Sequence, residues 1–519
     1  MENNLGIKVP DDRHEGLVNG ILAQTNTFKV EEPVVEKWTF FDTFDWRLYK
    51  KSLTLRLSDQ ELHLLDLKGG DSIARIQFTT MPVYARDFPA GTLTNMISTI
   101  IGVRAVLMVA EVHTQSRVYR ILNKDEKTVA RLVSTEVRTA PDIDSPLIAS
   151  YLSLRPVRGY PKYARQLEQA LTEIGETYSI IEDIYLSAIQ KARIKVGGYS
   201  SRLDLHLDPH QRSDGAMKVI FQRLLKIMKD NEAGIKADVD TEFLHDYRIA
   251  IRRTRSALGQ IKNVFPPEET SRFKRDFATL GQVSNHLRDL DVYLLSEDNY
   301  CAMLPEAMRD DILPLFDYLR TQRGQALDNV GRTLNSNAYA HFLDEWQFFL
   351  NEPVPETSAE TNAQVPIIDL AGQRIYKQYR NVIKDGTYLL EHTQDGLLHL
   401  LRIECKKLRY LMELFISLFP QKDIRRLINH LKVLQDYLGE FNDLSVQQEH
   451  LMQLAKELPV NDERSKMALV ATGYLVETMA RRQRIVKADF ARTFKDFTSP
   501  GSKTQYRELF SGKSKRYTQ

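Results

Sequence analysis

The sequence predicts an α+β multidomain fold: an N-terminal antiparallel β domain of barrel or tunnel type, followed by an all-α domain of two four-helix repeats. Runs of alternating apolar residues dominate before about residue 155, and helical periodicity dominates after about residue 160. The helical part also repeats itself at a fixed spacing. Because the chain has 519 residues, 42% of them hydrophobic and 27% charged, we expect folded domains with more than one core.

The β domain is predicted from five alternating segments. Residues 53–57, 61–67, 105–112, 117–121 and 128–137 have the period of strands. Helical stretches interrupt them at 13–22 and 92–101, and two more follow at 162–174 and 179–191. We therefore place the β domain at residues 1–175, a helical connection at 176–200 and the helical domain at 201–519.

The helical domain contains an internal duplication. Residues 244–255 line up with residues 398–409, and residues 280–292 line up with residues 434–446, both at an offset of 154 positions. A proline-punctuated acidic segment separates the two halves. We place repeat one at about 205–350, the acidic linker at 352–366 and repeat two at about 367–510.

Each repeat carries a stripe of basic residues on one helix. At about 100° per residue, His245, Arg248, Arg252 and Arg255 fall within an arc of roughly 80°, beside an apolar face that packs into the bundle. The second repeat has the same pattern, and one further cation flanks each stripe. The candidate binding residues are His245, Arg248, Arg252, Arg253, Arg255, His399, Arg402, Lys406, Lys407 and Arg409.

Two interpretations of these stripes are open. A charge run on a helix is commonly a solvated face or a set of ion pairs to other helices. Two stripes at the same position of two pseudo-symmetric halves favour a shared groove instead, because like charges repel until a polyanion neutralises them and arginine forks fit phosphate oxygens. Accessory residues that could extend this groove are Arg223, Lys226, Lys274, Lys377, Arg380, Arg425, Arg426 and Lys432.

The composition adds few constraints on partners. The chain has 71 Lys and Arg residues against 69 Asp and Glu residues, so its formal net charge of +2 does not by itself indicate a polyanion partner. Two cysteines are too few for a disulfide framework, which favours a reducing cytoplasm. We expect no secretory signal and no membrane span, since Arg104 breaks the most apolar window. We also expect no cofactor and no metal.

The two H-x-x-R-x-x-x-(R/K)-(R/K)-x-R stripes, each followed by R-D-L-D-V or N-D-L-S-V, resemble those of the CHAD domain, the conserved-histidine α-helical domain. The resemblance covers roughly residues 200–510. It implies a bundle of two four-helix repeats whose basic surface binds inorganic polyphosphate, and an association with polyphosphate granules. Polyphosphate-metabolising enzymes and granule proteins are then candidate partners.

The N-terminal part resembles a CYTH domain, the triphosphate-tunnel fold, through residues 40–43, 55–56, 66–68, 117–119 and 154–160. Active members of that family carry an E-x-E-x-K motif whose glutamates hold a divalent metal. The best-placed segment here, Asn4 to Lys8, keeps the lysine and lacks both glutamates. We therefore expect no catalytic residues and no hydrolysis. The residual basic residues of the tunnel would be Lys8, Arg56, Lys68 and Arg117.

Two alternative functions stay open. The first is a metal-dependent inorganic triphosphatase that uses other acidic residues of the tunnel. The second is nucleic-acid binding by the stripes, which the absence of interleaved aromatic residues disfavours. Asp289 and Asp291 look like a metal pair, but the second repeat has Asp443 and Ser445 at the same positions. We interpret this element as a helix cap or a buried ion pair.

Overall fold

A computed structural model of the chain describes residues 5–10, 13–23, 25, 27–77, 80–142, 144–175, 178–392, 394–460 and 462–511. The chain divides into two units, Met1–Ser200 and Ser201–Gln519. Within the described ranges, no helix is both long enough and apolar enough to cross a membrane.

The first unit is built around an antiparallel sheet. Its strands are β1 (Leu5–Val9), β2 (Thr27–Val30), β3 (Val34–Asp42), β4 (Leu53–Ser58), β5 (Glu61–Asp66), β6 (Ser72–Gln77), β7 (Leu107–Leu122), β8 (Thr128–Arg138), β9 (Leu147–Pro156) and β10 (Tyr178–Ser179). Its helices are α1 (His14–Ala23), α2 (Thr92–Ile101), α3 (Pro161–Ile174) and α4 (Ile180–Lys191). The two strands predicted at 105–112 and 117–121 form one long strand, β7.

The predicted barrel is not closed. The strand order is β10-β1-β9-β8-β7-β3-β4-β5-β6, with β2 paired to β7. Among the described residues no ladder joins β10 to β6. One edge strand has only two residues and the other is mostly exposed, so neither offers a long partner for a ladder. In β10, Oγ of Ser179 donates to the backbone oxygen of Leu67, just after β5, at 2.5 Å.

The sheet has an apolar core on both faces. Helix α4 packs Ile184 and Tyr185 against Trp38, Phe40 and Tyr151 on one face. Helices α1 and α3 pack against β1, β8 and β9 in a separate cluster, which lies on the other face of these strands. The segment predicted as a helical connection thus contains a helix that belongs to the first unit.

The second unit is helical throughout. Its first half contains α5 (Ser213–Lys236), α6 (Thr241–Gln260), α7 (Pro267–Val283), α8 (Asn285–Leu295), α9 (Glu297–Met303), α10 (Leu313–Leu334) and α11 (Asn337–Asn351). Its second half contains α12 (Ile367–Glu391), α13 (Asp395–Leu414), α14 (Gln421–Glu457), α15 (Glu463–Ala488), α16 (Phe490–Phe497) and α17 (Pro500–Phe510).

The offset found in the sequence recurs in the helix boundaries. Helices α5, α6 and α7 begin 154 positions before α12, α13 and α14, respectively, and α10 ends 154 positions before α15 ends. The main difference is a break in the first half. The single helix α14 corresponds to α7, α8 and α9 together, and the first interruption falls at Ser284.

Each half has helical segments beyond the four helices predicted. Helix α11 covers α5, with the ring of Trp346 5.2 Å from that of Phe221. Helix α17 covers α12 at the corresponding place, where Tyr506 stacks on Tyr379 at 3.9 Å. These segments bury apolar surface that four helices alone would leave exposed.

The acidic linker is attached to the first half by backbone hydrogen bonds. The backbone oxygens of Ala363 and Val365 accept from the N–H groups of Asp214 and Ser213 at 3.1 and 3.0 Å. Ala363 is fully buried. The segment therefore packs against the start of α5.

Candidate functional site

Both basic stripes lie on the surface edge of a buried helix face. In α6, Tyr247, Ile251 and Leu258 are buried in the core, and in α13 Leu401, Cys405 and Met412 occupy the same positions. Asp240 begins α6 by accepting the N–H groups of residues 242 and 243. The stripe side chains are partly buried, except His399, which is exposed.

The two stripes come from different repeats and lie side by side. Nη2 of Arg253 on α6 is 3.0 Å from Oε2 of Glu413 on α13, and Nε of Arg409 is 3.4 Å from the other oxygen of the same carboxylate. Nε2 of Gln260 donates to the backbone oxygen of Lys407 at 3.4 Å. Helices α6 and α13 are therefore in contact, and one carboxylate bridges a cation from each repeat.

Four of the ten predicted residues form ion pairs. Glu413 neutralises Arg253 and Arg409 in part, as just described. Lys407 pairs with Glu404 at 2.5 Å, and Arg402 pairs with Asp443 at 2.9 Å. Ion pairs of this kind are what the structural interpretation of the charge run predicts, so these four residues do not distinguish the two interpretations.

Three predicted residues form no ion pair with any described residue: Arg252, Arg255 and Lys406. The Nε atoms of Arg252 and Arg255 are buried and have no hydrogen-bond partner. Among the described residues Arg248 bonds to neutral groups, since Nη1 donates to Oγ of Ser284 at 2.8 Å and Nη2 donates to Oδ1 of Asn285 at 2.8 Å. The break between α7 and α8 thus positions Arg248 without a direct ion pair, although the charge of Asp289 acts on it.

The uncompensated charge appears in the pKa values of this region. Burial, followed by the nearby charges of Arg402 and Arg252, lowers the pKa of Lys406 to about 8 against the opposing effect of Asp443. Burial also lowers the pKa of Arg248 to about 10, with the charge of Arg252 next in importance. The field at Lys406 therefore includes cations from both repeats.

Arg288 on α8 joins this set, and the sequence analysis missed it. Its Nη1 is buried without a hydrogen-bond partner, and it forms no ion pair with the described residues. Burial lowers its pKa, the nearby carboxylates of Asp291 and Glu242 oppose this shift, and the charge of Arg252 acts in the same direction as burial. The R-D-L-D-V motif contains Arg288, but the second repeat has Asn442 at this position. A comparison that looked for basic residues shared by both repeats therefore did not select Arg288. We call Arg252, Arg255, Arg288 and Lys406 the unpaired cations.

The two stripe histidines are not equivalent in their surroundings. Nδ1 of His399 contacts Oδ1 of Asn442. Because a carbonyl oxygen only accepts, Nδ1 must carry the proton and Nε2 is left as an acceptor in the neutral ring. His245 is partly buried on α6.

The accessory residues are mostly engaged locally. Lys226 pairs with Asp230 at 2.7 Å, and Arg426 lies 3.6 Å from Asp423. Arg223 donates to the backbone oxygen of residue 202 and Arg425 to the side chain of residue 421. Lys274, Lys377, Arg380 and Lys432 are exposed.

The four predicted tunnel residues are not brought together. The strand registers place Lys8 and Arg56 on the sheet face that α4 covers, where Lys8 pairs with Asp183 at 2.9 Å and Arg56 lies 4.3 Å from the Trp38 ring. Arg117 is on the opposite face, in a cleft with His14 and Glu136. Lys68 is exposed in a turn.

Two acidic features can also be compared with the predictions. Asp291 is almost completely buried and pairs with Arg323 at 2.8 Å, which confirms a buried ion pair at this element. In the described part of the chain, no group of three His, Cys, Asp or Glu side chains is arranged to hold a metal ion.

Comparison with known proteins identifies the helical unit. The family model of the CHAD domain matches residues 219–452, which include both stripes, so the chain contains a CHAD domain there. Two uncharacterized Mycobacterium tuberculosis proteins, MT2285 and Rv2226, are each 27% identical to it over 266 residues, which are 50% of this chain. The chain spans about half the length of these curated relatives, 49% in each case.

Two solved structures are also similar. The crystal structure of the CHAD domain from the plant Ricinus communis has 25% sequence identity and a TM-score of 0.48, covering 56% of this chain and 94% of that chain. PptA from Streptomyces chartreusis has 15% identity and a TM-score of 0.43, covering 54% of this chain and 97% of that chain. The CYTH resemblance of the first unit stays a prediction.

Proposed function

We propose that the protein binds inorganic polyphosphate in a groove along α6 and α13 and holds it without turnover. The observation that carries this proposal is the set of unpaired cations, contributed by both repeats beside one another. Partly buried cations that form no direct ion pair are unfavourable in the free protein, and burial and like charge lower the pKa of Lys406 although Asp443 opposes them. A chain of phosphates would supply one negative charge after another along the stripes.

The choice of polyphosphate among polyanions rests on the CHAD domain. The matched residues 219–452 contain all ten predicted stripe residues, and the CHAD resemblance implies polyphosphate as the ligand. The same resemblance leads us to propose polyphosphate granules as a place where the protein acts. Nucleic acid shares the repeated phosphate charge, so competition between the two polyanions is part of the test.

We propose binding without hydrolysis because the first unit offers little support for a triphosphate tunnel. The sheet is open, and α4 fills the face that carries Lys8 and Arg56 with apolar side chains. Purified protein supplied with magnesium or manganese and tripolyphosphate should release no phosphate above background. Release at an ordinary enzymatic rate would refute this part of the proposal.

The binding proposal is tested by removing two unpaired cations, one from each repeat. We expect Arg252→Gln/Lys406→Gln to weaken the binding of long-chain polyphosphate by at least about 100-fold, because each side chain loses a charge-assisted hydrogen bond of about 1.5–3 kcal/mol. The control Lys466→Gln/Arg481→Gln removes the same charge from exposed, ion-paired positions on α15. It should change the affinity by less than about threefold.

Salt and RNA provide two further arms of the titration. Affinity should fall steeply as the salt concentration rises, by analogy with counterion release from nucleic acids. Single-stranded RNA should compete poorly with polyphosphate of the same charge. Equal affinity of the double variant and the wild type would refute the assignment of the groove, and stronger binding of RNA would indicate nucleic acid as the ligand.

A further inference from the structure

A second cationic cleft lies in the second repeat, between α12 and α17. Arg380 and Lys384 line it from α12, and Lys503 and Arg507 line it from α17. Each pair has a spacing of four residues, so both members project from one side of their helix. The cleft has a volume of about 380 Å³.

The four cations lack direct ion pairs among the described residues, although the charge of Lys384 acts on the neighbouring Asp385. None of them forms an ion pair with a described residue, and no carboxylate side chain lines the cleft. All four side chains are exposed. Four like charges on two packed helices repel one another, so an anion in the cleft would relieve an unfavourable arrangement.

Tyr379 provides an independent sign of a ligand. This residue lines the cleft and is 4% exposed, and its hydroxyl is buried without a hydrogen-bond partner. Its ring is fixed by stacking on Tyr506 at 3.9 Å. Burial raises the pKa of the hydroxyl to about 12, so it remains a donor at neutral pH. A buried donor without an acceptor is unfavourable unless something else accepts from it.

The cleft is not an inherited part of the duplication. The positions of the first repeat that correspond to Arg380 and Lys384 are Lys226 and Asp230, which form an ion pair at 2.7 Å. The positions that correspond to Lys503 and Arg507 are Phe349 and Pro353. Only the second repeat therefore has the four cations. Helices α5 and α12 are related by the 154-residue offset, but α17 is not the offset counterpart of α11, and Pro353 lies past the end of α11.

We propose that this cleft is a second anion site, which binds a compact oligophosphate of about three or four phosphates through Arg380, Lys384, Lys503 and Arg507, with the Tyr379 hydroxyl as an additional donor. The volume is at the lower end of the range for small-molecule sites, which suits a short anion better than an extended chain. The oligophosphate is either a free short chain or the end of a longer one. The site does not depend on the groove proposed along α6 and α13.

The site is tested by calorimetric titration of the full chain with tripolyphosphate in the Arg252→Gln/Lys406→Gln background, which weakens the first groove. In this background, we expect tripolyphosphate binding to be retained. Adding Arg380→Gln/Arg507→Gln should weaken it at least tenfold, because two of the four cations are lost. Adding Lys466→Gln/Arg481→Gln instead, with the same loss of charge, should leave it unchanged.

Two results would overturn the second site: no measurable binding of tripolyphosphate, or equal affinity with and without Arg380 and Arg507. Neither result concerns the binding of long-chain polyphosphate by the stripes. That binding is tested by titrating the wild-type protein and the Arg252→Gln/Lys406→Gln variant with long-chain polyphosphate. Substituting Tyr379→Phe should weaken tripolyphosphate binding several-fold while the melting temperature stays within a few degrees of its reference. Titration with long-chain polyphosphate shows whether the cleft binds a free short chain or the end of a longer one. The affinity for the long chain depends on Arg380 and Arg507 only if the cleft binds its end.

Discussion

Lys406 links the proposed function to pH in a way that can be measured. Its pKa is about 8 instead of 10.5, mainly because of burial and then because of the charges of Arg402 and Arg252. A bound polyphosphate puts negative charge beside the ammonium group and should raise its pKa towards the ordinary value. Binding is then coupled to protonation of Lys406, and affinity must depend on pH where the two pKa values differ.

The size and direction of the effect follow from this difference. Below pH 8, Lys406 is charged in the free and the bound protein, so the affinity should be constant. Above pH 8, the free protein loses a proton that the complex keeps, so each further pH unit should weaken binding by about tenfold. With the pKa fully restored in the complex, the loss reaches about 30-fold at pH 9.5.

The assay is a titration with long-chain polyphosphate from pH 6.5 to 9.5 at constant ionic strength. The upper limit stays below the pKa of about 10 at Arg248, so that this group does not dominate the result. The control is Lys406→Arg, because a guanidinium stays charged over the whole range. Affinity of the wild type should fall above pH 8, and that of the variant should change little. The same pH dependence in both proteins would refute the reasoning.

Three further predictions concern packing, hydrogen bonding and charge. Gly234→Ala should lower the free energy of unfolding by about 1–3 kcal/mol, because the new methyl group would lie 2.2 Å from the Phe243 ring; Gly324→Ala, which meets nothing within 4 Å, should not lower it. Asp42→Ala should cost at least about 3 kcal/mol in denaturant unfolding of the first unit, since three backbone N–H groups lose their acceptor. Glu413→Gln should strengthen polyphosphate binding about two- to fivefold by freeing two arginines; unchanged or weaker binding would count against their place in the groove.

The repeat made the helical unit unusually predictable. The 154-residue offset aligned two motifs in the sequence, and the same offset separates the helix boundaries of the two halves. The period of apolar residues depends on neighbouring positions, and the offset depends on comparing the sequence with itself. Both can therefore be found without knowing the tertiary structure. The predicted stripes accordingly fall on single helices, α6 and α13.

The partners of each stripe residue could not be predicted in this way. Arg253 pairs with Glu413, which is 160 positions away, and only the packing of α6 on α13 brings them together. Arg288 was hidden because its counterpart in the other repeat is uncharged. Arg380 was assigned to the first groove from its charge and from its alignment with Lys226, and in the structure it lines a cleft with residues of α17.

The open sheet shows a similar limit. Alternation predicted β4, β5, β8 and the two parts of β7, but it missed β3 and β9. Closure of a barrel further requires the two edge strands to pair, and β10 has only two residues. Neither the length of such a short strand nor its pairing to β1 is visible in a pattern of apolar residues. Only the strand order in the structure therefore shows that the sheet does not close into a tunnel.

The central claim is that a chain of phosphates lies along α6 and α13 and is held by cations of both repeats. A crystal structure of the protein with bound long-chain polyphosphate tests it most directly. The account predicts phosphate oxygens within hydrogen-bonding distance, about 3 Å, of Arg252 and Lys406 in the same molecule. Phosphates that contact neither residue, or that occupy only one repeat away from the α6 and α13 contact, would contradict it.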